Sequence, residues 1–437
     1  MAVQSSVRRR YPLRYWMLVA VMVGIPRFLN FDPRSKTQDF GLYNPWSLSQ
    51  IALMLLCAVA LAAVSLSSRK AINLRKINFH HWFWVGLVSI CILASIVNPQ
   101  DKLLVSLYWL FEWVVCYLLL ASAYTRAPAV EAPAFLREVA MKLVNISIGA
   151  VLLALVVYPP LAYVSAAEFT SGTVNRLGGN VVQSNRLGFL ACVGVLHSVI
   201  YLRGTKRFLF ITFYSIVLFF TFSRGSWIGL AIALVICVFM YPSKIVRAIG
   251  FVCICFTVAV ASMLSDKLMS ILERGQGSSN LETLSGRFLV WATDWQAFRL
   301  RPWIGYGFVD GPKQILSQLY LSNYWIPPNC HNEFLQALVT GGIVCGVMIM
   351  FLYLIVCYRF IRLMFGNPKN LDVLFFGLVF LEVMTFAPLA PVLMAEKLQV
   401  GVMFLICFLA AFDALPKWTR LQEQARAAAF APSNPRS

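Results

Sequence analysis

Four side chains in this sequence combine a reactive or anion-binding type with an unusual setting: Arg186, Arg224, Arg287 and His331. Arg186 lies in Gln183-Ser184-Asn185-Arg186-Leu187-Gly188 and Arg224 in Phe222-Ser223-Arg224-Gly225-Ser226, each at the edge of an apolar run. Arg287 follows Gly286. His331 sits in Pro327-Pro328-Asn329-Cys330-His331-Asn332-Glu333, where a long polar stretch gives way to an apolar one. A charge at a membrane centre costs roughly 2.5–3.5 kcal/mol on insertion scales and less near the interface, so such residues usually have a partner or line a polar cavity. Arginines facing one cavity repel each other unless an anion sits among them, and the guanidinium fork matches phosphate oxygens two at a time. A pyrophosphate on a lipid carrier would lie at this depth. Histidine has the ordinary pKa that suits proton transfer near neutrality, which makes His331 a candidate general base.

Plainer readings stand beside these. Any one of the arginines, including Arg176, Arg299 and Arg301 on the same side, could snorkel to lipid headgroups or pair with a local carboxylate. The acids in question are few: Glu168, Glu273, Glu282, Asp294, Asp310 and Glu333. His331 could be structural; His80 and His81 read as interfacial and His197 as a hydrogen-bonded core residue. Asn332 and Glu333 could cap the following helix, and Gly341 and Gly342 could allow close helix packing. No Asp-x-Asp, HExxH or Walker pattern occurs, so no metal, nucleotide or other cofactor is expected.

The elements that must hold these residues are membrane helices. The chain of 437 residues is 59% hydrophobic and 13% charged, against about 25% charged in soluble domains. Apolar runs long enough to cross ~30 Å of hydrocarbon are expected near 13–31, 46–66, 80–97, 103–121, 139–158, 186–202, 208–222, 226–241, 245–264, 333–357, 371–389 and 396–414. With the N-terminus and its Arg8, Arg9 and Arg10 inside, every second connection is also inside, and each is basic: Arg69 to Lys76, Arg126 to Lys142, Arg203 to Arg207, Lys244 to Arg247, Arg359 to Lys369. That agreement with the positive-inside rule supports twelve spans and accounts for most of the +19 net charge without nucleic acid. The eleven cysteines form no metal spacing and no disulfide framework.

Two outer segments remain, at about 159–185 and 265–332. In the second, Phe288, Ala292, Trp295 and Phe298 fall at helical spacing, as in an amphipathic helix on the membrane surface; another short helix is expected over Lys313–Leu321. The expected fold is an all-α polytopic membrane protein. Nine helices lie in 1–264, a long outer loop with amphipathic helices in 265–332, three helices in 333–414 and a cytoplasmic tail in 415–437. That tail is expected to be mobile after Leu421.

Ser223-Arg224-Gly225, then Gly286-Arg287, Trp291, Arg301-Pro302-Trp303-Ile304-Gly305-Tyr306-Gly307, His331-Asn332 and the glycines at 341 and 342 form an ordered set. Over roughly 180–350 this set resembles the bacterial O-antigen ligases and Wzy-type O-antigen polymerases. The resemblance implies a GT-C-like glycosyltransferase of the inner membrane, acting at the periplasmic face without metal or nucleotide sugar. Its donor would be a glycan on undecaprenyl pyrophosphate, and its acceptor, for a ligase, a sugar of the lipid A core. Carried over by motif, Arg224 and Arg287, with Arg186 less distinctively, would hold the pyrophosphate, and His331 would be the base. The leading expectation is the ligase. The rivals are the polymerase and, from another class, a transporter or flippase for a lipid-linked anion.

Overall fold

The computed structural model describes residues 52–60, 62–63, 79–98, 102–124, 131–165, 175–179, 181–240, 287–319, 327, 329–367, 370–394 and 399–430. The spans expected at 13–31 and 245–264 lie outside these residues, as do Glu168, Glu273 and Glu282. Helices run over Phe79–Val97 (α1), Leu103–Tyr124 (α2), Ala132–Val157 (α3), Ser184–Tyr201 (α4), Gly204–Thr221 (α5), Arg224–Met240 (α6), Arg287–Leu300 (α7), Asp310–Leu319 (α8), Glu333–Gly366 (α9), Leu371–Phe386 (α10) and Gln399–Leu409 (α11). The last continues through a π turn, Ala410–Ala414, into Leu415–Phe430 (α12), so the segment expected to be a mobile tail after Leu421 is helical to Phe430. Before α4, a two-stranded antiparallel hairpin, Tyr163–Ser165 (β1) and Asn175–Leu177 (β2), pairs Val164 with Arg176. It is the one departure from an all-α chain among the described residues.

Long apolar runs fold as helices because hydrocarbon offers no partner for a free backbone N–H or C=O. Five helices are long and apolar enough to cross a membrane: Leu103–Ala121, Ala132–Val157, Gly204–Thr221, Glu333–Gly366 and Val400–Leu421. Trp82–Val97 and Arg224–Met240 are shorter apolar helices. This is an all-α membrane protein, with fewer qualifying spans among the described residues than the twelve expected. α4 and α10 lie in the interior, buried almost throughout, while α5 turns Phe208, Leu209, Ile216 and Phe220 outward as a lipid-facing helix would. At the C-terminal end of α4, Tyr201 donates to Asp372 (2.6 Å) while Arg137 pairs with Asp372 and stacks on Tyr201, tying α3, α4 and α10 together.

α9 is broken at Gly341 and Gly342, whose φ/ψ values are not helical. The break frees backbone groups that a helix would use, and the Arg301–Gly307 turn satisfies them. Tyr306 N–H donates to Val339 O (2.9 Å), Gly307 N–H to Thr340 O (2.9 Å) and Ile343 N–H to Pro302 O (2.7 Å). Backbone meets backbone here. A Cβ on Gly342 (φ +69°) would strike the Trp303 carbonyl, and one on Gly305 (φ +74°) would lie 2.6 Å from the Thr340 carbonyl. These glycines thus seat the loop on the break rather than packing helix on helix. Arg301 reaches Asn98 Oδ1 (2.9 Å) and lies over the Tyr306 ring, fastening the same turn to the end of α1.

α7 has its polarity reversed relative to a soluble surface helix. Phe288, Leu289, Trp295 and Leu300 are exposed along one stripe, with Arg299 beside them. Val290, Thr293, Asp294 and Ala297 are buried against α8 and α9. The apolar outward stripe fits a membrane-surface helix, but Phe298, expected on that stripe, turns inward onto Ala297, Tyr306 and Leu316. α8 covers 310–319, slightly earlier than the 313–321 expected.

Candidate functional site

Three corners of the chain meet at one end of α4. The first is the hairpin: after β2, Gly178 and Gly179 (φ +125° and +56°) turn the chain sharply into α4. The second is the first turn of α4, with Asn185 and the buried Arg186. The third is the α5–α6 corner, where Phe222 adopts a left-handed φ of +49° and α6 begins at Arg224. Ser223 and Ser226 hydroxyls bond each other at 2.8 Å, and Ser226 Oγ reaches the Asn185 carbonyl at 3.4 Å. Gly188 makes this approach possible, because a Cβ there would lie 2.7 Å from Ser223 Cβ and 2.9 Å from Ser226 Oγ. At Gly225 a Cβ would meet only the tip of the Leu389 side chain, at 2.7 Å.

Arg176, which the sequence left open, binds two of these corners. Its Nη2 donates to Asn185 Oδ1 (2.6 Å) and its Nε to the Thr221 carbonyl (3.0 Å). Burial and the charges of Arg287 and Arg224 lower its pKa to about 10. Arg287, the first residue of α7, is lowered to about 10 by burial and by Arg224. Both stay charged at neutral pH. Three guanidinium groups from β2, α6 and α7 therefore lie within electrostatic reach of one another. Arg186 stands in the first turn of α4, next to Asn185. Asn-Arg-Leu-Gly occurs at both 175–178 and 185–188, so Arg176 and Arg186 share one local motif.

His331 faces one of these charges, that of Arg287. Burial, and then Arg287, lowers its pKa to about 3, so the imidazole is neutral near pH 7 and able to accept a proton. Its backbone is left-handed at φ +48°, a conformation that costs a non-glycine residue of order 1–3 kcal/mol unless its surroundings impose it. Neighbouring contacts do impose it. Cys330 N–H donates to Gln336 Oε1 (2.9 Å), His331 N–H to Asn329 Oδ1 (3.0 Å) and Glu333 N–H to the Ala387 carbonyl (2.8 Å). Asn332 is the cap of α9, accepting from Phe334 N–H and Leu335 N–H.

The described acids that might have neutralised the arginines have other contacts. Glu333 does not cap its helix but accepts from Val392, Leu393 and Met394 N–H at 2.6 to 3.3 Å. Asp310 accepts from Lys102 N–H (3.0 Å), and Asp294 is buried against Cys330. Arg299 is exposed on the outer stripe of α7, and Arg301 serves the loop. This end of the described residues thus gathers three arginines and a neutral histidine.

Residues 208–350 match the O-antigen ligase family. The matched segment runs from α5 into α9, past its break, and contains Arg224, Arg287, His331 and the glycines at 341 and 342; Arg176 and Arg186 lie before it. It supports a membrane glycosyltransferase of the O-antigen ligase or polymerase type, with lipid-linked glycan partners in a general sense. No curated protein matches the chain.

Proposed function

We propose that the protein is an O-antigen ligase of the bacterial inner membrane. In this reading its site faces the periplasm. It transfers a glycan from undecaprenyl pyrophosphate to a sugar of the lipid A core, on a GT-C-like helical scaffold. The observation that carries the reading is the clustering of Arg176, Arg224 and Arg287, with Arg287 in turn within electrostatic reach of His331.

The chemistry is a single displacement. His331 takes the proton of the acceptor hydroxyl as its oxygen attacks the anomeric carbon, and the bond from that carbon to the pyrophosphate breaks. The electron pair leaves with the lipid pyrophosphate, and the anomeric centre inverts. Charge grows on the leaving group as the bond breaks, and preplaced arginines stabilise that growth. The same anion makes the base usable. In the empty site Arg287 disfavours an imidazolium; a bound pyrophosphate offsets Arg287, so His331 gains basicity when its substrate is present. Arg186 is assigned to the donor side through its place beside Asn185.

The test is transfer by the purified protein in proteoliposomes holding undecaprenyl-pyrophosphate glycan and lipid A-core. His331→Ala is expected to bind donor without transferring glycan; transfer at the wild-type rate would remove His331 as base. In the host, deletion is expected to strip all glycan from the core while polymer stays on the carrier. A core bearing one repeat unit would instead identify the polymerase. Movement of donor across the bilayer without transfer would identify a transporter.

A further inference from the structure

The donor-binding arginine of α7 and the proposed base are on different segments, and a buried contact joins those segments. Asp294 lies two turns along α7 from Arg287, about 10 Å of helix rise, on the stripe that faces the protein. Asp294 and Cys330 are each fully buried. The Asp294 carboxyl lies beside the Cys330 thiol, and neither carboxyl oxygen has a hydrogen-bond partner among the described residues. A thiol is a weak partner. An ionised carboxylate in that setting would be poorly compensated, so the neutral acid is the form that fits. Accordingly burial lifts the Asp294 pKa to about 8. Next along the chain from Cys330 is His331, in its left-handed backbone.

We propose that Asp294, as a neutral buried acid packed beside Cys330, is a positioning residue that holds α7 to the Cys330–His331 turn and so fixes Arg287 relative to the base. The Gln336 contact to Cys330 N–H anchors the turn to α9 from one side; Asp294 anchors it to α7 from the other. Without the second anchor the turn keeps its helix but loses its register with Arg287. The catalytic consequence rests on the reading of His331 as base, whereas the anchor itself does not.

The experiment uses the full chain in proteoliposomes, with Asp294→Asn, Asp294→Ala and Cys330→Ser variants and two readouts. The first is labelling of Cys330 by a membrane-impermeant maleimide from the face that carries α7. Wild type and Asp294→Asn are expected to stay unlabelled and Asp294→Ala to label; adding Cys330→Ser should abolish that label. The second is glycan transfer: Asp294→Ala should lose at least tenfold in kcat, and Asp294→Asn should recover to within about twofold. An Asp294→Ala protein that is folded, unlabelled and fully active would overturn the proposal. So would an Asp294→Asn protein as impaired as the alanine variant, since an ionised carboxylate would then be the working form. If His331→Ala proves active in the same assay, the reading of the base fails, and the labelling result still decides the anchor.

Discussion

Arg176 donates from Nη2 to Asn185 Oδ1 at 2.6 Å, joining a strand of the hairpin to the first turn of α4. With its second bond to the Thr221 carbonyl, this holds one guanidinium at a corner where Arg224 and Arg287 also converge. Two of its five N–H groups are used in these bonds.

Arg176→Ala is therefore expected to weaken donor binding. A hydrogen bond to a charged group contributes roughly 1.5–3 kcal/mol, or about ten- to a hundredfold in Kd. Arg176→Lys keeps the charge but loses the fork and should recover part of the loss. Titration of the reconstituted protein with the lipid pyrophosphate measures this; an unchanged Kd for Arg176→Ala would place Arg176 outside the site.

The pH dependence should separate the free enzyme from its complex. In the empty site His331 is held to about 3, so it is already a neutral base at pH 5. The profile of kcat/KM, which follows free-enzyme groups, is expected to stay flat on the acid side down to about pH 5 as far as His331 is concerned. The kcat profile should break at higher pH, because bound pyrophosphate offsets Arg287 and raises the histidine. Burial is the larger cause of the lowered value and persists in Arg287→Ala, which removes only the repulsion and should raise the kcat/KM break by part of the way from about 3. Coincident breaks in the wild-type profiles would count against this coupling.

Gly342 tests the seat of the loop. With φ at +69° and the Trp303 carbonyl where a Cβ would go, Gly342→Ala combines backbone strain with a backbone clash. A cost of about 1–3 kcal/mol is expected from the strain alone, read as a lower Tm and a fall in transfer. Gly204 is the control: its φ is +58° but a Cβ there meets nothing, so Gly204→Ala should cost less. Equal losses in both would mean that the Trp303 contact is not the cause.

Helix positions among the described residues were legible in the sequence because they follow from hydrophobic runs. The two polar ends of the site were not. Asn185 is chemically ordinary in its motif, and its part emerges only when the hairpin brings Arg176 beside it. Asp294 reads as the solvated face of an amphipathic helix, since the pattern gives two faces without saying which one meets water. In a membrane-surface helix that choice inverts, and Asp294 goes inward with Arg287. Glu333, at a helix start, has the position of a capping residue, but three distant N–H groups from 392–394 claim it. Such contacts depend on chain crossings that no local window contains.

Asp294 should also leave a mark on stability. Its pKa is about 8 in the fold against an ordinary 3.8, so the folded state binds the proton more tightly. Its contribution is fully present below about pH 4 and is lost as pH rises through 8. His331 works in the opposite sense, weakening the fold as pH falls below 6.5 toward 3. Comparing wild type with Asp294→Asn isolates the first effect. Cys330 beside the carboxyl, Arg287 and Arg299 on α7, Asp310 and Lys313 on α8 and Glu333 on α9 are common to both proteins. In detergent, the Tm of Asp294→Asn is expected to gain on that of wild type between pH 5 and pH 9. Parallel Tm curves across that window would mean that Asp294 is ionised in the fold at neutral pH, and the neutral anchor would fail with it.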